Sequence, residues 1–112
     1  MKVRDLINRL NLKILAGEKG LEKDVKGIYC CDLLSWVMSH AKSQNAWITV
    51  QIHTNIVAIA SLLELSCIII PENIEVEENT LEKANDENIP ILQSDLNSYQ
   101  LCVKLNQLGI DE

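Results

Sequence analysis

The chain has 112 residues, a length typical of one domain, and we expect residues 1–112 to form a single domain. Its hydrophobic fraction of 47% is sufficient for a packed core, although phenylalanine is absent. No apolar run approaches the roughly 18 residues that a membrane span needs. The first ten residues alternate charged and apolar side chains, unlike a signal peptide. These features favour a cytoplasmic protein.

The net charge of −6 is concentrated in residues 72–87, where seven carboxylates accompany a single lysine, Lys83. We call residues 72–87 the acidic segment. The rest of the chain is neutral and has no basic stripe of the kind that binds a phosphate backbone, which argues against nucleic acid as a partner. The acidic segment is either a solvated surface or a docking surface for a basic protein.

The first part of the chain alternates predicted helices and strands. Apolar residues three and four positions apart predict an opening helix that ends near Asn11, because this spacing lines one helical face. Two short strands follow, separated by a glycine-containing turn, and Asp32 is placed to cap the next helix. The predicted segments are a helix over residues 3–10, strands over residues 12–15 and 27–31, and a helix over residues 33–40.

Residues 46–71 are the most apolar and most clearly bounded stretch. β-Branched and aromatic residues predict a strand over residues 47–50, and the apolar run at residues 67–70 is typical of a strand that is covered on both faces. The apolar spacing between them predicts a helix that starts near Ile56, with Thr54 or Asn55 as its cap. This pattern predicts a right-handed crossover between two parallel strands.

The last third continues the alternation. Asn79 and Glu82 have the spacing of a capping box, which predicts a helix that opens at Asn79 and ends near Asn88. A strand over residues 90–93 and a helix over residues 97–108 follow. We therefore predict an α/β fold in which a mostly parallel, mixed sheet is covered by helices.

The cysteines match no zinc pattern, and we interpret them first as buried thiols. One alternative is a thiol enzyme, in which Cys31 and Asp32 lie near His53 as the base. Another is a metal site that combines His53 with Cys30 or Cys31, to which His40 could be added. Since neither has the usual spacing of ligands or catalytic groups, we expect no catalytic residue, no metal and no cofactor. The four cysteines are Cys30, Cys31, Cys67 and Cys102.

Three pieces of sequence carry a resemblance to a known family. They are residues 12–21 (LKILAGEKGL), residues 32–34 (DLL) and residues 47–56 (WITVQIHTNI). In order and spacing they resemble the small stand-alone proteins of the DRTGG-domain family, and the similarity continues through the strand near residue 90 and the last helix. That family is similar to the N-terminal domain of HPr kinase/phosphorylase, so the resemblance implies an α/β fold like that domain and self-association.

The resemblance implies an accessory, regulatory module, because the family domain also occurs fused to CBS-domain pairs and to phosphate acetyltransferases. Kinase activity is not implied, since the chain has no G-x-x-x-x-G-K-[ST] phosphate loop. The Asp-Arg-Thr-Gly-Gly string that names the family is absent. The corresponding turn reads QIHTN at residues 51–55, without an arginine to clamp a phosphate.

We place the candidate ligand site where the strand before this turn ends, because open α/β sheets bind ligands at the carboxyl ends of their strands. We expect a non-enzymatic regulatory domain that senses a small anionic ligand, such as a nucleotide, as a homodimer. The alternative is an interaction or scaffold module that docks on a larger enzyme without a ligand. Trp36 is either a dimer contact or a core residue. The candidate ligand-binding residues are Asp32, Gln51, His53, Thr54 and Asn55.

Overall fold

The computed structural model describes residues 1–110 and residue 112. In this part of the chain, helices and strands alternate as the sequence predicts. The helices are α1 (Val3–Leu10), α2 (Leu34–His40), α3 (Asn55–Leu63), α4 (Glu78–Glu87) and α5 (Ser98–Gln107). The strands are β1 (Lys13–Ala16), β2 (Gly27–Cys30), β3 (Asn45–Ile48), β4 (Cys67–Ile70) and β5 (Ile91–Gln93), and a 3₁₀ turn covers Glu18–Gly20.

The five strands form one mixed sheet in the order β1-β5-β4-β3-β2. Strands β2 to β5 are parallel neighbours, and β1 pairs antiparallel with β5. Each parallel strand is joined to the next by one helix, which is the connection that parallel strands require. The predicted α/β fold, with a mostly parallel sheet covered by helices, is confirmed.

The sheet separates two apolar cores. Helices α2, α3 and α4 cover one face, where Val37, Ile56 and Ala84 pack on the side chain of Trp47 and its neighbours. Helices α1 and α5 cover the other face, where Leu6 and other leucines pack on alternate residues of the same strands. Because both faces are covered, β3 and β4 are buried at every position.

The boundaries of β4 and α1 agree with prediction, but β3 lies two residues earlier than the predicted strand over residues 47–50. The strand starts at buried Asn45, whose side-chain oxygen accepts a hydrogen bond from the Lys42 N–H and whose position pairs with Gly27. It ends before Val50, because the Val50 N–H is bound by a side chain of the neighbouring turn.

The start of α4 is not formed by the predicted capping box, whereas α5 starts where it is predicted. Helix α4 begins at Glu78 with Glu77 in the N-cap position, so Asn79 lies inside the helix and does not open it. Helix α5 has the capping box instead: Asn97 and Gln100 exchange side-chain to backbone hydrogen bonds of 2.9 and 3.0 Å. Across the described residues, no helix has the length and apolar character needed to cross a membrane.

Candidate functional site

The carboxyl ends of β2 and β3 are joined by a hydrogen-bond network centred on Asp32. Its Oδ1 atom accepts hydrogen bonds from the Thr49 hydroxyl at 2.8 Å and from the Val50 N–H at 2.9 Å. The Gln51 side-chain amide in turn donates to the backbone carbonyl of Asp32 at 2.9 Å. The indole N–H of Trp47 donates to the Cys31 carbonyl in the same region. The structure therefore brings two of the candidate residues, Asp32 and Gln51, into direct contact.

Asp32 does not cap α2, contrary to the sequence prediction. Leu33 occupies the N-cap position, and no side chain caps the helix there. The carboxylate is instead used across the sheet, where it satisfies the buried Thr49 hydroxyl and a backbone N–H. Because its partners are the two residues that directly follow β3, the role that the structure assigns to Asp32 is to hold two strand ends together.

His53 faces α4 instead of the Asp32 network. Its Nδ1 atom lies 2.5 Å from Glu77 Oε2, and the side chain of His53 is 62% exposed. The Thr80 hydroxyl also donates to the Ile52 carbonyl at 2.8 Å. The turn that leads into α3 is thus held to the first turn of α4 by two contacts.

Thr54 and Asn55 lie at the start of α3, next to a shallow groove between α3 and α4. Thr54 occupies the N-cap position in helical backbone geometry, but its side chain makes no capping hydrogen bond, so the predicted cap is not formed. The groove has a volume of about 440 Å³. It is lined by Thr54, Asn55, Ala58, Asn79, Glu82, Lys83 and Asp86.

The five candidate residues therefore divide among three adjacent features near the carboxyl ends of β2 and β3. These features are the Asp32 network, the contact of His53 with Glu77, and the groove beside Thr54 and Asn55. Sequence reasoning did not assign a role to Thr49, Glu77 or Lys83, which complete these features. The sequence does distinguish Lys83, since it is the only cation in the acidic segment and therefore a candidate contact for an anion. The pairing of His53 with Glu77 had no local signal, because the two residues are far apart in sequence.

A larger cavity, of about 530 Å³, lies at the opposite end of the strands, beside the amino ends of the parallel strands β2 to β5. Its lining includes the carboxylates of Glu22, Asp24, Glu64 and Glu87. Helices α3 and α4 end beside it, and helix carboxyl ends carry partial negative charge. The single lysine there, Lys23, donates to the Asn88 carbonyl at 2.9 Å, and burial lowers its pKa. This cavity is therefore unsuited to an anion.

The thiol-enzyme alternative needs Cys31 and His53 to be partners. β2 and β3 are neighbours, so both turns do lie at one edge. However, the Cys31 thiol donates to the Leu33 carbonyl at 3.9 Å, while His53 is paired with Glu77. The structure does not assemble a nucleophile and a base here.

The four thiols differ in burial. Cys67 is fully buried, which raises its pKa to about 12. Cys31 and Cys102 are half-buried, and Cys30 is exposed as a residue. Partial burial of its thiol, together with the neighbouring Cys102, raises the pKa of Cys30 to about 11. Among residues 1–110 and 112, no group of three or more His, Cys, Asp and Glu side chains is placed to hold a metal ion.

Comparison with known proteins identifies a family and a fold. Residues 5–108 match the family model described as the DRTGG domain. A search of curated proteins found no match. The structure is similar to the crystal structure of the CBS and DRTGG domains of the regulatory region of Clostridium perfringens pyrophosphatase, complexed with the activator diadenosine tetraphosphate.

This structural similarity has a TM-score of 0.70 and covers 92% of the present chain, with 14% sequence identity. The present chain spans 45% of the length of that crystallised chain. At this level of identity the likeness establishes the fold alone. It agrees with the mixed α/β architecture described above.

Proposed function

Because the chain belongs to the DRTGG-domain family, we propose that it is a non-catalytic regulatory domain that senses a small anionic ligand, such as a nucleotide, as a homodimer. The similar clostridial structure comes from a regulatory region and contains a nucleotide activator. It therefore supports the regulatory role and the nucleotide-like ligand. The resemblance at residues 12–21 supports a further relationship to the N-terminal domain of HPr kinase/phosphorylase. We also propose that residues 1–112 are one domain and that the protein is cytoplasmic, which agrees with its four free cysteines.

The observation that carries the ligand proposal is the uncapped amino terminus of α3. The first backbone N–H groups of a helix have no partner within the helix and carry partial positive charge. At α3 the Ile56 and Val57 N–H groups donate to the His53 and Thr54 carbonyls at 3.1 and 3.0 Å, but no side chain caps the helix, and Thr54 and Asn55 are exposed. Lys83 lines the adjacent groove and adds a positive charge, which its exposed ion pair with Glu87 at 3.4 Å partly offsets. An anionic group at the α3 end of the groove is therefore stabilised by both.

Two carboxylates oppose this binding. Glu82 and Asp86 line the same groove as Lys83, and both are exposed. Repulsion between like charges at an exposed site is modest and is screened by salt. The expected consequence has a definite sign: neutralising Glu82 strengthens binding of an anion, and neutralising Lys83 weakens it.

The pairing of His53 with Glu77 supplies a mechanism for sensing. Glu77 is the N-cap residue of α4, and its carboxylate contacts the His53 ring. A ligand anion that takes the place of Glu77 beside His53 releases the start of α4. Binding would then favour the conformation in which this contact is broken, which is a shift in population.

An interaction module without a ligand is the second candidate. It is favoured by the exposure of apolar side chains on α2, where Leu33 is 62% and Trp36 is 52% exposed. Such a module would dock on a larger enzyme through a helix face, or on a basic partner through the acidic segment. A complex that weakens as salt is added indicates the acidic segment.

A thermal-shift screen tests the ligand proposal. The compounds are adenine and guanine nucleotides, cyclic dinucleotides, acetyl phosphate and coenzyme A. A ligand at about 100 times its dissociation constant stabilises the fold by roughly 2.7 kcal/mol. For a domain of this size, that raises Tm by about 10 °C. A flat screen at millimolar concentrations overturns ligand sensing and leaves the interaction module.

Variants locate the site of any compound that binds. We expect the double change His53→Ala and Asn55→Ala, and the single change Lys83→Gln, to reduce the shift, whereas Glu82→Gln increases it. Lys104→Gln is the matched control, because Lys104 is an exposed lysine on α5. Equal shifts in all four proteins would place the ligand outside this groove and overturn the proposed site.

A further inference from the structure

The sheet has two edge strands, β1 and β2, and they are protected to different degrees. The open edge of a strand is a template for pairing with other chains, and proteins guard it with charges, prolines or bulges. β1 carries Lys13 and has a register irregularity between Ile14 and Ala16. β2, with the sequence GIYC, keeps a regular register with β3 and has no charge or proline.

Part of the β2 edge is already paired. The Ile28 N–H points away from the sheet and donates to the Glu112 carbonyl at 2.7 Å. Residues alternate along a strand, so the N–H and C=O of Cys30 point to the same open side. With only this short segment of backbone open, side chains must supply most of any contact made at this edge.

Two helices flank β2 and expose large apolar side chains. On α2 and at its N-cap these are Leu33 and Trp36, which are 62% and 52% exposed. On α5, which packs over β2 on the other face, Tyr99 is 76% and Val103 is 36% exposed. We call β2 with the outer sides of α2 and α5 the β2 face. Aromatic residues are enriched in the cores of protein interfaces.

The Trp36 side chain is held in place before any partner arrives. Its ring stacks on the His40 ring, with the centroids 3.9 Å apart and the planes 13° from parallel. His40 Nδ1 is within hydrogen-bonding distance of both the Ser39 hydroxyl and the Trp36 carbonyl. A side chain that is already ordered loses less conformational freedom on binding, which favours association.

The charge distribution argues that the occupant of the β2 face is a second copy of the chain. Together, β2, α2 and α5 carry one formal charge, Lys104, and Glu112 beside Ile28 adds one carboxylate of opposite sign, whereas the whole chain has a net charge of −6. The acidic segment lies elsewhere, and its helix α4 packs near β1, toward the opposite edge of the sheet. Two copies that meet through their β2 faces therefore keep their acidic segments far apart.

We propose that the β2 face binds the β2 face of a second copy around a two-fold axis, with Trp36 and Tyr99 among the buried contacts. This arrangement is isologous, because the same self-complementary surface is used by both copies. The inference rests on the homodimer of the proposed function but not on its ligand.

Sedimentation velocity of the full chain over a range of concentrations tests this proposal. We expect a species of twice the 12.6 kDa chain mass. Trp36→Glu and Tyr99→Lys should each raise the dimer dissociation constant at least tenfold. Leu62→Glu is the matched control, because Leu62 is 69% exposed on α3, outside the β2 face, and its replacement should leave the dimer unchanged. Circular dichroism verifies that each variant is folded.

Hydrogen exchange at the Cys30 amide gives a second readout. In the dimer this N–H is shielded, so its exchange should slow as the protein concentration rises in the wild type and should not slow in Trp36→Glu. A dimer that survives both face variants overturns the β2 face while leaving the proposed homodimer intact. A wild-type chain that stays monomeric at all concentrations overturns both. Neither outcome bears on ligand binding, which the thermal-shift screen tests independently.

Discussion

The Thr49 hydroxyl donates a 2.8 Å hydrogen bond to Asp32 Oδ1, which joins the carboxyl ends of β2 and β3. Thr49 is only 1% exposed, so water cannot replace this partner if it is lost. The same oxygen accepts from the Val50 N–H. The carboxylate therefore has a structural role in satisfying two donors.

We expect Asp32→Ala to lower the free energy of unfolding by about 2 kcal/mol. The buried Thr49 hydroxyl loses its acceptor and keeps only the hydrogen bond that it accepts from the Gln51 N–H. A buried donor without a partner costs about 1–3 kcal/mol. Urea denaturation measures the change. Asp95→Ala is the control, because Asp95 is exposed in the turn after β5 and its replacement should change stability by less than about 0.5 kcal/mol. In a Thr49→Val background, Asp32→Ala should cost at least about 0.5 kcal/mol less. Strictly additive effects would contradict the pairing.

Local sequence patterns predicted those features that depend on neighbours along the chain. The spacing of apolar residues located α1, and the apolar run located β4. Asn11, in left-handed geometry, ends α1 as expected. In each case the deciding interactions lie within one helical turn or one strand, so the pattern alone carries the information.

The features that were predicted wrongly depend on which strands and helices become neighbours. The sequence predicts Asp32 as a helix cap, but its partners, Thr49 and Val50, directly follow β3 and become available through the parallel pairing of β2 with β3. The early start of β3 depends on buried Asn45, a polar residue that strand propensity disfavours. The groove that joins Asn55 to Lys83 depends on the packing of α3 against α4.

The turn at residues 15–21 has a physical reason for its glycines. Gly17 has a φ of +77°, and a Cβ atom there would lie 2.1 Å from the Ile89 carbonyl oxygen. Its N–H donates to Asn85 Oδ1 at 2.8 Å. The turn is therefore packed against the connection between α4 and β5 at the level of backbone atoms.

We expect Gly17→Ala to be strongly destabilising, by more than about 3 kcal/mol, because it combines left-handed strain with a clash against backbone. Gly109→Ala is the control: Gly109 has a φ of +95°, but a Cβ atom there would meet nothing within 4 Å. That variant should lose only about 1–2 kcal/mol, from strain alone. Thermal and urea unfolding compare the two. Equal losses would show that the close approach to Ile89 has no energetic effect.

Thiol reactivity separates structural cysteines from catalytic ones. Burial, with Cys102 nearby, raises the pKa of Cys30 to about 11, and burial raises the pKa of Cys67 to about 12. Because the thiolate is the reactive form, both should react slowly with iodoacetamide at pH 7.5 in the folded protein and quickly in urea. Mass spectrometry of digests identifies each site. Fast alkylation of Cys31 in the folded protein would contradict our assignment of the domain as non-catalytic.

The raised pKa of Cys67 also makes stability depend on pH. In the unfolded chain the thiol ionises near its ordinary value of about 9, whereas in the folded protein burial outweighs the attraction of Lys23 and raises its pKa to about 12. The unfolded state therefore releases a proton first, and the contribution of this thiol to stability is full below pH 9 and is lost as the pH rises toward 12.

We expect the advantage of the wild type over Cys67→Ala to shrink by about 1.4 kcal/mol between pH 8 and pH 10, since each unit of pKa shift corresponds to 1.36 kcal/mol. Urea unfolding at several pH values measures this difference. Ile69→Val is the control, because Ile69 is fully buried in the same strand and does not titrate. Its difference from the wild type should stay constant with pH. A constant difference for Cys67→Ala as well would mean that this thiol ionises as readily in the folded core as in the unfolded chain.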